Sequence, residues 1–383
     1  MLGIIPFGRP VMGEEERAAV LEVLSGTVLT HGPRVKAFEE SFRTFTGAPF
    51  ALAVSSCTAA LHLAYLYLGL GPGDEVIVPA QTHTATAHAV AYTGATPVFA
   101  DVDPLNGNID VTHVKTLINE KTRAICVVHF LGTLGPMEAL VEICREKNLF
   151  LVEDCALALG TFNEEGVHAG LLGDVGAFSF YPVKHITTAE GGMVITRSEE
   201  IAETVGRLRA FGIDRNIPAE RKRPGIYEVV DLGFNYRLNE IGAAIGEVQM
   251  RRLPEFLEKR RANWETLRNA LSGVEEIEVL AAEAPVERSS CYALSALLKP
   301  EIGKRRDAIV TELKARGVGT SVYYPHPVPL MPYYRERFGY RDSDFPVARR
   351  LSDHSITLPV GPHLEPDTMS FIAEELKNAL RKT

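Results

Sequence analysis

The stretch "ALAVSSCTAALHLAYLYLGLG", Ala51 to Gly71, carries no charged residue and is long enough to be taken for a membrane span. Its middle argues otherwise. Ser55 and Ser56 divide it into a strand-like half, "ALAV", and a helix-like half beginning at Cys57. The reading is then a buried strand, a turn of small hydroxyl residues and the first turn of a helix. Exposed N–H groups and the positive helix end make such a turn a seat for an anion, phosphate in particular. A plain N-cap by Ser56 or Thr58 gives the same pattern with no ligand.

Six further apolar runs share this character: "EVIVPA", "TPVFADV", "RAICVVHFLG", "LFLVEDCA", "GAFSFY" and "GMVITR". Amphipathic segments such as "PMEALVEICREKN" lie between several of them, and helices at "EEERAAVLEVLSG" and "RVKAFEESFRTFTG" precede them. The alternation predicts an α/β fold with a mainly parallel seven-stranded sheet covered on both faces. Ligands of such sheets sit beyond the carboxyl ends of the strands. From about Glu240 the pattern changes to a long helical segment, expected to be interrupted at Pro254, followed by "CYALSALL", "KRRDAIVTELKARG" and "DTMSFIAEELKNALRK". Residues 1–240 therefore read as a large α/β domain with an N-terminal helical segment, and 241–383 as a smaller α+β domain.

A chain of 383 residues is too long for one ordinary core, and 46% hydrophobic with 23% charged residues is a globular composition. The net charge of −9 argues against nucleic acid as a partner. Five scattered cysteines without a C-x-x-C pair suit a reducing compartment. With no signal-like start and no membrane span, a cytoplasmic location is expected. His83 and His88 are off the i, i+4 spacing of a helical metal site, so no metal is expected.

Two more residues fall where ligands should bind. Asp154 ends an apolar run, so its carboxylate is directed to the crevice, where it needs a cation or a proton; a helix cap or an arginine partner would also serve. In "SFYPVKHITTAEGGMVIT", Ser179 to Thr196, a lysine and a histidine are adjacent, in a loop whose paired glycines are expected to permit a tight return. A partly desolvated lysine is a nucleophile for carbonyl carbon; a surface lysine is not. Phosphate turn, crevice carboxylate and lysine, in that order, recur in pyridoxal-phosphate enzymes of the aspartate-aminotransferase fold, fold type I.

The sequence resembles the DegT/DnrJ/EryC1/StrS family of nucleotide-sugar aminotransferases over nearly its whole length. The likeness is carried by "LSGTVLTHGPRVKAFEESF", "SSCTAALHLA", "GATPVFADVD", "VEDCALALG", "GDVGAFSFYPVKHITTAEGGMVIT", "LGFNYRLNEIGAAIG" and "VYYPHPVPL". The resemblance implies that Lys184 holds the cofactor covalently and that Asp154 faces its pyridinium nitrogen. Cys57, Thr58 and Ser179 then match the phosphate site, and Asn235 matches an asparagine lent to it by the other subunit of a homodimer. His83 stands where the family has an aromatic ring stacked on the pyridine. Leu157 departs from the pattern, which has Gln or His there, within reach of the phenolic oxygen; leucine offers no hydrogen bond. His185, one place after Lys184, reads as a loop residue without a part in catalysis.

The implied reaction is transamination from L-glutamate to a nucleotide-linked ketosugar, with a 4-keto-6-deoxy sugar favoured over a 3-keto one. Arg209, Arg215, Arg223 and Arg237 are candidates for the diphosphate. A minority of the family carries histidine in place of the lysine and dehydrates ketosugars. That lyase reading, and a non-catalytic cofactor-binding one, stand as the alternatives.

Overall fold

The computed structural model describes residues 4–214 and 227–383. The apolar runs form β1 (Phe50–Val54), β2 (Glu75–Pro79), β3 (Thr96–Ala100), β4 (Thr122–Val128), β5 (Phe150–Asp154), β6 (Val175–Ser179) and β7 (Gly192–Thr196). They make one sheet in the order β1-β7-β6-β5-β4-β2-β3. Neighbours from β6 to β3 run parallel, and β7 is antiparallel to both β6 and β1. No crossover helix separates β6 from β7, so the loop 180–191 can only return the chain in the opposite sense.

Helices α1 (Glu14–Ser25) and α2 (Pro33–Thr46) precede the sheet. Between its strands lie α3 (Cys57–Tyr67), α4 (Thr84–Ala91), α5 (Val111–Leu117) and α6 (Met137–Lys147), with α7 (Glu199–Leu208) after β7. The opening stretch is β1 and α3. Every residue of α3 from Ala59 to Tyr65 is buried, because the helix packs against strands of its own sheet and against α4 and α7. Its hydropathy is that of a helix enclosed by protein. Among the described residues no helix is long and apolar enough to cross a membrane.

The two-residue strands β8 (Ile213–Asp214) and β9 (Glu228–Val229) pair antiparallel, and α8 (Glu240–Ala270) follows. Contrary to expectation, α8 runs unbroken through Pro254. The ring deprives the carbonyl four residues back of its N–H, but packing on both sides outweighs that loss. Leu253, Phe256 and Leu257 pack into the core beneath the large sheet, and Trp264 and Leu267 into that of the second sheet. The motif "LNEIGAAIG" acts at the start of this helix. Asn239 caps it by accepting from Gly242 N–H at 2.8 Å. The Glu240 carboxylate reaches over to α2, accepting from the N–H groups of Gly32, Arg34 and Val35. A Cβ at Gly246 would sit 2.9 Å from the Phe38 ring and from the Thr188 methyl, so only glycine lets α8 press against α2 and the β6–β7 loop.

The last part is an antiparallel sheet of β10 (Ile277–Val279), β11 (Leu294–Leu298) and β12 (Ser355–Leu358). It is accompanied by α9 (Arg306–Ala315), α10 (Pro332–Phe338), α11 (Pro346–His354) and α12 (Pro366–Lys382). Of these, β11, α9 and α12 match the sequence reading.

Candidate active site

The phosphate-type turn lies between β1 and α3. Ser56 caps α3, its Oγ accepting from Ala59 N–H at 3.1 Å. Ser55 N–H donates to the Tyr236 carbonyl at 2.7 Å, which lays the segment around Asn235 along the turn. From the other side Gly192 of β7 backs it: a Cβ there would lie 2.5 Å from the Ser56 carbonyl carbon and 2.7 Å from the Cys57 nitrogen. This corrects the expectation for "AEGG". Neither glycine adopts a left-handed conformation, whereas Ala189 does, with φ 67°. The glycines serve close approach, not the return of the chain. Ser179 pairs with Gly192 in the β6–β7 register and so borders the same turn, its Oγ accepting from Tyr181 N–H at 3.5 Å.

Asp154 closes β5 and is buried. One carboxylate oxygen accepts from the Thr86 hydroxyl at 2.8 Å, and the other from Ala156 N–H at 3.1 Å. The Cys57 thiol lies 3.9 Å from that second oxygen. Burial first, and then the charge of Asp154, push the thiol pKa well up, while the charge of Lys184 acts in the opposite sense. Cys57 therefore turns its side chain beneath Asp154, and only its backbone serves the turn. Among the described residues no lysine, arginine or histidine forms an ion pair with Asp154.

Lys184 sits in the β6–β7 loop, half-buried, its N–H donating to the Tyr181 carbonyl at 2.9 Å. Its Nζ stands 5.5 Å from the centre of the Tyr292 ring. Thr187 pins the loop, its hydroxyl donating to the Phe180 carbonyl at 2.8 Å and accepting from Ala189 N–H at 3.0 Å. His185 is in this loop but buried, and burial, Arg260 and Lys184 depress its pKa well below the ordinary value. His83 caps α4 through Nδ1, which accepts from Ala85 N–H at 3.1 Å, and its ring meets Tyr324 edge-on at 6.0 Å. Desolvation and then the charge of Lys184 lower its pKa, so the ring and the amine share one space.

The other expected residues fall outside this cluster or take other work. Asn235 is exposed, its Oδ1 accepting from Arg237 Nε at 2.9 Å. Arg237 also reaches His31 and lies over Phe211. Arg209 is committed to Glu39 at 2.6 Å and to the Ala53 carbonyl at 2.7 Å, which makes it a structural tie. Arg215 and Arg223 lie outside the described residues. Leu157 is buried in apolar company, its carbonyl accepting from Ser290 Oγ at 2.7 Å. His88 pairs with the Tyr334 hydroxyl at 2.7 Å.

Sequence reasoning missed Thr86 and Tyr292. Thr86 lies one helical turn after His83 in α4, a spacing that was legible; Tyr292 comes from the far C-terminal part, and nothing local marks it.

The chemistry of these donors can be tested against a cofactor. A buried carboxylate with acceptor capacity left over suits a protonated pyridine nitrogen, an amine that forms no ion pair among the described residues suits a carbonyl carbon, and N–H groups at the first turn of α3 suit a phosphate. Pyridoxal phosphate carries all three.

The DegT/DnrJ/EryC1/StrS aminotransferase family matches residues 10–377. The spore coat polysaccharide biosynthesis protein SpsC of Bacillus subtilis is 34% identical over 383 residues, with 98% of this chain and 97% of that protein covered. Among solved structures, Helicobacter pylori PseC, an aminotransferase involved in pseudoaminic acid biosynthesis, aligns with TM-score 0.93 at 29% identity, covering 99% of this chain and 100% of that one. Spr1654 of Streptococcus pneumoniae, known in PMP and PLP forms, aligns in its PMP form with TM-score 0.92 at 30% identity over 99% of both chains. The sheet, its order and these likenesses establish fold type I of the pyridoxal-phosphate enzymes, and the chain belongs to the DegT/DnrJ/EryC1/StrS aminotransferase family, as a pyridoxal-phosphate-dependent enzyme.

Proposed function

We propose that the protein transfers the amino group of L-glutamate to a nucleotide-linked ketosugar, with a 4-keto-6-deoxy sugar as the acceptor. The observation that supports this reading is that the residue of the β6–β7 loop near the buried Asp154 and Cys57 is a lysine, Lys184, whose charge, like that of Asp154, acts on the Cys57 thiol. The names of the similar proteins support it, since SpsC belongs to polysaccharide biosynthesis and PseC to pseudoaminic acid biosynthesis.

Bound pyridoxal phosphate supplies an electron sink that stabilises a carbanion next to nitrogen. Lys184 would hold the cofactor covalently and, once displaced by the donor, carry the proton between the donor Cα and the cofactor's exocyclic carbon as general base and acid. Asp154 would keep the ring nitrogen protonated, with Thr86 fixing the carboxylate. The turn at Cys57 and Thr58, with Ser179, would receive the phosphate, and His83 would cover the ring. In this reading the enzyme is a cytoplasmic homodimer, and Asn235 of one subunit completes the phosphate site of the other.

Incubation with L-glutamate and a panel of nucleotide ketosugars, read by mass spectrometry, tests the reaction. Aminated sugar and 2-oxoglutarate in equal amounts are expected. A dehydrated sugar formed without glutamate would make the enzyme a lyase, and absence of any half-reaction would leave a binding protein. Borohydride reduction and peptide mapping should place the cofactor on Lys184; a label on another lysine sinks that assignment. Mixing Lys184→Ala with Asn235→Asp tests the shared site. Activity returns in the mixed dimer if Asn235 acts across the interface, and stays absent if it acts within its own chain.

A further inference from the structure

Lys184 and His185, consecutive in the β6–β7 loop, both lie against one side chain from the C-terminal part of the chain. The Nζ of Lys184 stands 5.5 Å from the centre of the Tyr292 ring, and the His185 ring is 5.5 Å from it, centre to centre. Among the described residues the amine makes no hydrogen bond and no ion pair, so the ring is its one polarised neighbour. An aromatic face attracts an ammonium within about 6 Å of its centre.

Tyr292 is 4% exposed and is held from several sides. Its hydroxyl meets that of Tyr323 at 2.7 Å, its N–H donates to the Leu131 carbonyl at 3.2 Å, and its carbonyl accepts from Arg260 Nη1 at 2.9 Å. The guanidinium of Arg260, on α8, is also over the ring, 5.7 Å from its centre. Tyr323 is fixed in turn. Its carbonyl accepts from Gln81 Nε2 at 2.7 Å, and Gln81 Oε1 accepts from the Ser352 hydroxyl of α11 at 3.0 Å. Phe7 and Gly8 of the N-terminal segment close over Tyr292 and Arg260, with Gly8 so near Val183 that a Cβ on it would be 3.2 Å from the Val183 Cβ. The ring therefore keeps its place, and the lysine has a fixed object to rest on.

This kind of neighbour has a chemical consequence. A carboxylate beside the amine would accept its hydrogen bonds and hold its proton, whereas a ring face attracts the ammonium with no lone pair aimed at any one N–H. Such an attraction is worth about twofold to thirtyfold in population, enough to favour one position and weak enough to leave at each step. Without it, a flexible four-carbon side chain released from a covalent bond is shared among several rotamers.

We infer that Tyr292 is a positioning residue, whose ring seats the amine of Lys184 whenever that amine is free and keeps it at hand for proton transfer. The inference rests on the reading above that Lys184 holds the cofactor and carries the proton.

Two measurements test it. The first uses enzyme loaded with pyridoxamine phosphate, which has an amine in place of the aldehyde and so leaves Lys184 free. With lysine isotopically labelled at Cε for NMR, the Lys184 signal is identified by its loss in Lys184→Arg. It should carry a ring-current shift that Tyr292→Phe keeps and Tyr292→Leu removes. The second is single turnover of the pyridoxal-phosphate form with L-glutamate. Tyr292→Leu should lower the limiting rate about tenfold and leave the half-saturating concentration within about twofold of the parent. Tyr292→Phe should recover most of the rate, and Tyr323→Phe, which loses the hydroxyl pair, should fall between. An unshifted Lys184 signal in the parent overturns the inference, and this holds even if Tyr292→Leu does not fold. A folded Tyr292→Leu with the parent's rate overturns it as well, as does a change confined to half-saturation. If the parent ignores glutamate, the donor proposal fails and the ring-current shift alone decides. A borohydride label on another lysine removes the underlying reading and this inference with it, whereas a label on Lys184 with an unshifted signal removes this inference alone.

Discussion

Glu153 and Asp154 are consecutive carboxylates at the end of β5, and both are buried. Because side chains alternate along a strand, they enter opposite faces of the sheet. Glu153 meets four donors: the N–H groups of Gly170, Leu172 and Gly173 at 2.7, 2.8 and 2.6 Å, and His129 Nε2 at 2.9 Å. His129 accepts from Gly135 N–H through Nδ1, which leaves Nε2 as the donating nitrogen. Asp154 meets one hydroxyl, one N–H and, at 3.9 Å, the weak donor of the Cys57 thiol. The first carboxylate has its lone pairs filled by its own chain and ties the loop before β6 to the sheet. The second has capacity left and faces the space where Lys184 and His83 meet. Burial marks both residues alike, so what separates the two carboxylates here is the acceptor capacity that the fold leaves unused.

The largest effect should come from the open side. Asp154→Asn removes the charge but keeps the shape, and Thr86 can rotate its hydroxyl to suit an amide. The glutamate half-reaction is expected to slow by about a hundredfold or more, with the unfolding midpoint nearly unmoved. Rapid-mixing absorbance and a denaturant titration on one preparation check both halves. Glu153→Gln should behave inversely. Its amide must point an N–H₂ group at His129 or at the backbone N–H groups, donor against donor, at a cost of about 2–4 kcal/mol. Half-reaction rates per folded molecule should stay close to the parent. If Glu153→Gln stops the chemistry without lowering stability, the contrast between the two carboxylates is wrong.

The filled side also buries a histidine, and this gives a smaller effect with a defined pH window. His168 accepts from Gly160 N–H at 2.9 Å, and burial brings its pKa down from 6.5 to about 4. As pH falls below 6.5 the unfolded chain takes up this proton first. The contribution of His168 to stability is therefore complete above pH 6.5 and is lost as pH falls towards 4, by up to about 1.4 kcal/mol per unit. His168→Gln, whose carbonyl oxygen can still accept from Gly160, should flatten that part of the stability curve. His185 on the open side is depressed in the same sense and supplies a separate share. Superimposable curves for parent and variant would show that His168 does not titrate with folding.

What could be read beforehand follows from how local each signal is. Each strand of the large sheet is a short apolar run between turn residues, because it is buried on both faces, and Asp154 and Lys184 follow directly from the ends of such runs. The strand β12 is only four residues and begins where α11 ends, with no turn residue between them to announce it. Pro254 looked like a break because the sequence shows the missing N–H and not the two cores that hold the helix straight. Gly192 could be seen as a glycine, yet its reason, the backbone of Ser56 and Cys57 against it, comes from a strand far away in sequence. Arg260 and Tyr292 were invisible for the same cause. Their partners are contributed by the N-terminal segment, the β6–β7 loop and the C-terminal sheet, which only the fold brings together.

The smallest effect sharpens the open side further. Leu157 lies three residues after Asp154, buried among apolar side chains, its carbonyl accepting from Ser290 Oγ. If its side chain adjoins the cofactor's phenolic oxygen, as the resemblance implies, that oxygen lacks a donor which Gln or His would provide. Leu157→Gln should then favour the ionised oxygen and shift the absorbance titration of the bound cofactor to lower pH, by up to about one unit for one good hydrogen bond. The Asp154 side would gain a polar contact while the Glu153 side, across the sheet, should keep its stability curve. The amide also has to be accommodated where leucine packed, so a modest fall in unfolding midpoint is expected with the spectral shift. A fall in stability without any change in the titration would place Leu157 in the core and leave the phenolic oxygen to some other residue.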